Sequence, residues 1–214
     1  MSRLGLILPL AALLLLFSCG PADLDNDESE EPEISFEAVS VPQFGGGDER
    51  GLWERASADE WRTNDALEPA VALHLEEEFE DVYVKMTVTV GQGQEAGIIL
   101  NYSDGSYYFA GLGSFQSRYA IGRQDGDQRA PRELAAYGLD HDIEPHLPVT
   151  LEVTLRFQGP GAHILLEADG ERVLEAADPR PLEPGGSVGL RTWRTRATFK
   201  LEDGPGRPDP VEPD

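Results

Sequence analysis

The chain has 214 residues, with 17 basic side chains against 40 acidic ones, a formal net charge of −23 and a single cysteine. A surface this acidic repels the phosphates of nucleic acid and of anionic lipid headgroups, which excludes nucleic acid as a partner. One cysteine cannot form an intramolecular disulfide, so stability has to come from a packed core.

In chain order, residues 1–18 read as an export signal. A basic start at Arg3 is followed by an apolar run from Leu4 to Phe17, broken only by Gly5 and Pro9, and then by the small Ser18 before Cys19. The run is shorter than the roughly 20 residues that a permanent membrane-spanning helix needs. Leu16-Phe17-Ser18-Cys19 resembles the lipobox of bacterial lipoproteins, although Phe17 is bulkier than is usual there. The resemblance implies diacylglycerol on the Cys19 thiol, cleavage before it, and a further acyl chain on the new amino terminus. Each buried methylene contributes about 0.8 kcal/mol, and two or more chains hold stably where one binds marginally. Gly20 stands where many inner-membrane lipoproteins carry Asp, which by the same resemblance directs the expectation to the outer membrane. The chain is therefore expected to be exported and lipid-anchored in the bacterial cell envelope, touching the membrane through its anchor only.

Residues 19–40 read as the lipidated cysteine and an acidic tether. Gly20 to Glu37 holds eight acids and no base, and such a block extends by self-repulsion instead of folding. Calcium chelation by this run is the alternative to a solvated spacer. Residues 41–203 are long enough for one domain with a sizeable core. Within it, Val82 to Val90 places an apolar side chain at every even position, the period-two signature of a strand with one buried face. Leu151, Val153, Leu155 and Phe157 repeat that pattern against polar neighbours. Two hairpins are expected, Gly97–Tyr102 with Tyr107–Ala110 across Asp104-Gly105, and His163–Ala168 with Arg172–Glu175 across Asp169-Gly170. Further strands are expected at 71–76, 118–124, 187–193 and 197–201, and mildly helical windows at 54–60 and 132–137. Residues 204–214, rich in Pro and Gly, read as a disordered, non-helical tail. The predicted fold class is all-β, a two-sheet antiparallel sandwich.

Several of these segments are similar to concanavalin A-like jelly-roll domains. Glu95 to Tyr102, Asp104-Gly105 and Tyr107-Tyr108-Phe109 resemble the first hairpin of that superfamily, and Gly186 to Trp193 with Ala197-Thr198-Phe199 its closing strands. Pro148 to Val153 and Asp169 to Val173 resemble its central strand and second hairpin. The members most similar are sugar-binding modules, laminin-G-like domains and domains of the 3-keto-disaccharide hydrolase type. Two departures stand out. Asn101 replaces a common Arg, and Phe199-Lys200-Leu201 replaces the Phe-Asp-Asp that helps hold a structural calcium. No cofactor or metal is expected, with the calcium left open.

Catalytic signals are sparse. The paired acids of family 16 glycoside hydrolases are not found, and no catalytic residue is assigned. Asp140-His141-Asp142 could offer a metal an imidazole and two hard oxygens, with loop solvation as the alternative reading. Binding chemistry is better represented, because sugars are held by aromatic faces together with Asn, Arg and Asp. The candidate ligand-binding residues are Asn101, Tyr107, Arg123, Arg191 and Trp193, with packing as the competing role for the aromatics and pairing with the abundant acids for the arginines; whether Asn101, Tyr107, Arg123 and Trp193 converge in one groove is for the structure to decide. The expected function is a non-catalytic envelope lipoprotein binding carbohydrate or another extracellular ligand, as a monomer. The alternatives are a glycoside-cleaving enzyme of the 3-keto-disaccharide type and an envelope protein-interaction scaffold.

Overall fold

A computed structural model describes residues 34, 36–39, 53–63, 70–113, 118–126, 128, 131–139 and 143–209, without the side chains of 38, 39, 75, 76 and 92–94. The segment read as an export signal, Cys19, most of the residues read as an acidic tether and Asp140-His141-Asp142 lie outside the described residues. All described residues fall in one compact unit, Glu33–Asp214.

Among the described residues the structure is all-β, and no helix is long and apolar enough to cross a membrane. The strands are β1 (Glu37–Val39), β2 (Trp53–Arg55), β3 (Glu60–Thr63), β4 (Ala70–Phe79), β5 (Val82–Ser103), β6 (Ser106–Gly113), β7 (Arg118–Gln124), β8 (Arg132–Gly138), β9 (Pro148–Gln158), β10 (Gly161–Ala168), β11 (Glu171–Asp178) and β12 (Gly186–Gly206). Every pairing is antiparallel. The molecule is a two-layer jelly-roll sandwich, and two long strands build both layers. The later half of β5 and the early half of β12 lie at the centre of a first layer ordered β1-β4-β12-β5-β6-β7-β8. Their other halves form a second layer with β3, β9, β10 and β11. Each of these two strands thus joins two segments that the sequence pattern separates.

The bend that lets one strand serve two layers is built locally. In β12 the register slips between Thr195 and Ala197, and Arg194 takes a left-handed φ of 48°. The Thr63 hydroxyl pins the corner, accepting from Ala197 N at 2.8 Å. A slip of this kind bends a strand while preserving the pairing on either side. Both predicted tight turns are present. Asp104 and Gly105 have φ of 47° and 80°, and Asp169 and Gly170 have 51° and 80°. That is the positive-φ pair which a two-residue hairpin turn requires.

The core fills the space between the layers. Val82, Val84, Met86 and Val88 meet Leu151, Val153, Leu155 and Ile164 from one side, and Ile98, Leu100, Tyr108, Ile121, Val188 and Leu190 from the other. Trp61 is 1% exposed within it.

Three boundaries differ from the sequence reading. The windows read as mildly helical contain strands instead: 54–60 is β2, a turn and the start of β3, and 132–137 is β8. The helix preference of Arg132-Glu133-Leu134-Ala135 is outweighed by pairing with β7 and by packing of Leu134 and Ala135 on the core. Residues 37–39, read as the end of the tether, form a strand that pairs with β4. Phe36 is buried edge-on against Trp61, ring centroids 4.8 Å apart. At the other end β12 continues through Gly206, which pairs with Tyr83, so the first three residues read as tail complete the last strand.

Candidate functional site

The outward face of the first layer carries a second apolar cluster, made of Val71, Leu73, Ile99, Tyr107 and Phe109, with Tyr102 packed against it. Its floor follows from the registers. Val71, Arg191, Gly97, Gly111 and Ala120 pair in turn across β4, β12, β5, β6 and β7. In the neighbouring row Leu73, Gly189, Ile99, Phe109 and Gly122 do the same. Glycine is needed where rings or backbone come close. A Cβ on Gly122 would lie 2.3 Å from the Phe109 ring, and one on Gly111 would lie 2.3 Å from the Ala96 carbonyl oxygen.

Arg191 crosses this floor. It is 3% exposed, and its guanidinium carbon lies 4.2 Å from the centroid of Phe109 and 6.0 Å from that of Trp193. A cation over aromatic faces is stabilised by their quadrupoles, more so when desolvated. Its Nη1 is 2.7 Å from the Glu95 carboxylate, a close ion pair although the angle is poor for a hydrogen bond. The distance is the better guide to that contact, since attraction between charges has no strict direction. Nε has no partner, nor does the hydroxyl of Tyr107, which is 0% exposed. Burial pushes the Tyr107 phenol above its ordinary pKa; Arg191 draws it back and Glu95 adds to the rise. Glu95, Trp193 and Tyr102 are half-buried at the rim of the face, and Tyr102 stacks on Tyr107 at 6.0 Å.

Of the five candidate residues, the structure brings three together. Tyr107, Arg191 and Trp193 share this face as floor, bridge and rim. Asn101 does not offer its side chain to a ligand. It has a φ of 54° where β5 and β6 slip register, and is 1% exposed. Its amide donates to Glu183 O and accepts from Gly186 N, both at 2.8 Å, which fixes the loop entering β12. Arg123 lies on the opposite side of its sheet and bridges the two layers. Its Nη1 meets Asp178 Oδ2 at 2.6 Å and its Nε meets Asp125 Oδ1 at 2.6 Å. The buried Asp178 also accepts from Tyr108 Oη at 3.1 Å and from Arg180 N at 3.2 Å. Burial alone would raise its pKa; the hydrogen bonds from Arg123, Arg180 N and Tyr108 bring it below the ordinary value.

Glu95 and Asp178 were missed by sequence reasoning. Antiparallel pairing across from Trp193 was the signal available for Glu95, whereas nothing local singles out Asp178 among so many acids. Lys200, where the sequence resemblance leads one to look for a calcium-holding acid, points its ammonium at Glu202 (3.2 Å) and Asp59 (4.0 Å). A cation already stands there, so these residues do not fit calcium. Among the described residues no three His, Cys, Asp or Glu side chains form a metal-holding group.

No family model matches the chain, and no curated protein matches its sequence. Solved structures match its fold. The carbohydrate-binding module CBM66 from Bacillus subtilis superposes with a TM-score of 0.60 at 14% identity, covering 79% of this chain and 95% of that one. A functionally unknown protein from Saccharomyces cerevisiae gives 0.51 at 12% identity, over 75% and 95%. A prokaryotic β-1,3-1,4-glucanase (lichenase) derived from a mouse hindgut metagenome gives 0.49 at 13%, over 80% and 92%. At these identities the likeness is one of fold, the antiparallel jelly-roll sandwich.

Proposed function

We propose that the domain is a non-catalytic carbohydrate-binding module that takes a sugar ring at the rim formed by Trp193, Glu95 and Tyr102. One observation carries the reading: Arg191 is buried between Phe109 and Trp193 with Nε unbonded, beside the unbonded hydroxyl of Tyr107. Buried polar groups are almost always satisfied, so this face has directional donors left for a partner. Aromatic faces beside such donors suit a ring that is apolar on its flat sides and hydroxylated at its edge. Arg191 already has Glu95 as counter-ion, which favours a neutral ring. The name of the B. subtilis structure, a carbohydrate-binding module, supports the same reading.

Glycoside cleavage is less well supported. It needs one carboxyl kept protonated as an acid, whereas Glu95 and Glu133, which share this face, are both ion-paired to arginine. Calorimetric titration of the full chain with a panel of neutral polysaccharides tests the proposal. Trp193→Ala is expected to weaken binding about tenfold or more. No binding across the panel, or wild-type affinity in Trp193→Ala, would overturn it.

The same proposal includes lipid anchoring at Cys19 in the bacterial envelope, supported by the apolar run and lipobox-like residues before it. Labelled palmitate should enter the wild-type chain and not Cys19→Ser; equal labelling of both would refute the anchor.

A further inference from the structure

We infer a second binding site, for one anionic group of a ligand, in the pocket where the two layers open beside β7, β8 and the segment after β11. The pocket is about 350 Å³ and is lined by Arg123, Asp125, Gln128, Arg132 and Arg180. Three of the chain's 17 basic residues meet here, in a protein with 40 acids. Arg123 and Arg132 are direct cross-strand partners, a placement of like charges that costs stability unless an anion sits between them. The buried Asp178 supplies part of it, at 2.6 Å from Arg123 but 3.4 Å from Arg132. Asp125 is spent on Arg123. Among the described residues three guanidinium groups thus face two carboxylates, one unit of positive charge in excess, and Arg180 is exposed. At 0.15 M salt, screening acts over about 8 Å, so this local excess outweighs the distant acids.

The pocket is also built to last. Arg123 is anchored by Asp178, which is 1% exposed, and by the Arg180 carbonyl. Gln124 donates to Gln128 O at 2.5 Å, and Gly126 N donates to Ser106 Oγ at 2.9 Å, so Gly126 and Gln128 are tied down at one wall. Arg123 is therefore a positioning residue, while Arg132 and Arg180 are the groups left to meet a ligand. Guanidinium forks match the flat or tetrahedral oxygen sets of carboxylates and sulfates. A uronate and a sulfate ester share that chemistry.

The test is titration of the full chain with sodium sulfate at constant ionic strength, read on the arginine Nε–Hε NMR signals. Arg132 and Arg180 are expected to shift saturably, and Arg180→Gln or Arg132→Gln to weaken the association about tenfold. Trp193→Ala should bind sulfate like wild type, which separates this site from the neutral-sugar face. Oligogalacturonate and a sulfated oligosaccharide, each set against its neutral counterpart, then name the source by whichever binds more tightly. Linear, unsaturated shifts would overturn the site and leave the arginines as an inter-layer clasp. So would equal shifts in Arg132→Gln and Arg180→Gln, or neutral and charged oligosaccharides binding alike.

Discussion

The two outward faces of the sandwich obey different rules. On the second layer Tyr83, Lys85, Thr87, Thr150, Glu152, Thr154 and Arg156 are half-buried, and several of them pair across the strands: Lys85 with Glu152 at 2.8 Å, Thr87 with Thr150 at 3.3 Å, Tyr83 with Glu152 at 3.2 Å. On the first layer Val71, Leu73, Ile99, Tyr107 and Phe109 are at most 5% exposed, and two polar atoms among them, Arg191 Nε and the Tyr107 hydroxyl, lack partners. The first arrangement is complete in water. The second leaves hydrogen bonds unmade, and an unmade buried bond costs about 1–3 kcal/mol. Unfinished polar chemistry on an apolar face is the basis of the binding role proposed for the first layer.

Truncation should expose this contrast most strongly. Phe109→Ala is expected to destabilise by about 3–5 kcal/mol in urea unfolding, against less than about 0.5 kcal/mol for Thr154→Ala on the other layer. Similar losses would mean that the two faces are packed alike. Next comes the clasp between layers. Asp178→Asn removes the charge that neutralises Arg123, and breaking a buried pair costs about 3 kcal/mol. The folded-state pKa of Asp178 is depressed, so its contribution is present above the unfolded carboxylate value and is lost as pH falls through the folded one. The gap between wild type and Asp178→Asn should therefore narrow on acidification; a constant gap would show that the charge is not the stabilising feature. Smaller again is Gly111→Ala, at about 1–3 kcal/mol of overpacking, because its Cβ meets backbone on the neighbouring strand. Gly138→Ala on the edge strand, with nothing within 4 Å, should be neutral.

The same contrast explains what was legible in the sequence. The second layer's strands alternate cleanly, Leu151, Val153 and Leu155 in, Glu152 and Thr154 out, so period two marks both the strand and its faces. Gly97 to Leu100 and Tyr107 to Ala110 are continuously apolar because both of their faces are buried. They read as strands, but which side chain faces which way does not show. Tyr107 and Tyr108 are adjacent and both 0% exposed; one reaches Asp178 through the core, the other lies on the outer cluster. Arg191 and Trp193 were named because the resemblance placed them, with Arg123, on one class of strand. Asn101 lies away from their face for a conformational reason: its left-handed φ turns the side chain towards the loop at Gly186. Arg123 lies on the other side of the sheet by parity, since its pairing partner Tyr108 faces the core.

The most diagnostic variant is one with a small expected effect on stability. Tyr107→Phe deletes a hydroxyl that has no partner and leaves the ring, its stacking on Tyr102 and its burial intact. Removing an unsatisfied buried group leaves no orphan behind, so the variant should be as stable as wild type or more stable by about 1 kcal/mol. Its affinity for a neutral glycan should nevertheless fall if the proposed sugar site is right, because the hydroxyl is one of the donors that proposal assigns to the ligand. Stability and binding then move in opposite directions on one atom, which no packing role predicts. A loss of stability greater than about 1 kcal/mol would show instead that the hydroxyl is bonded within the fold. The first layer's outward face would then be a second core, as complete as the other layer's polar one.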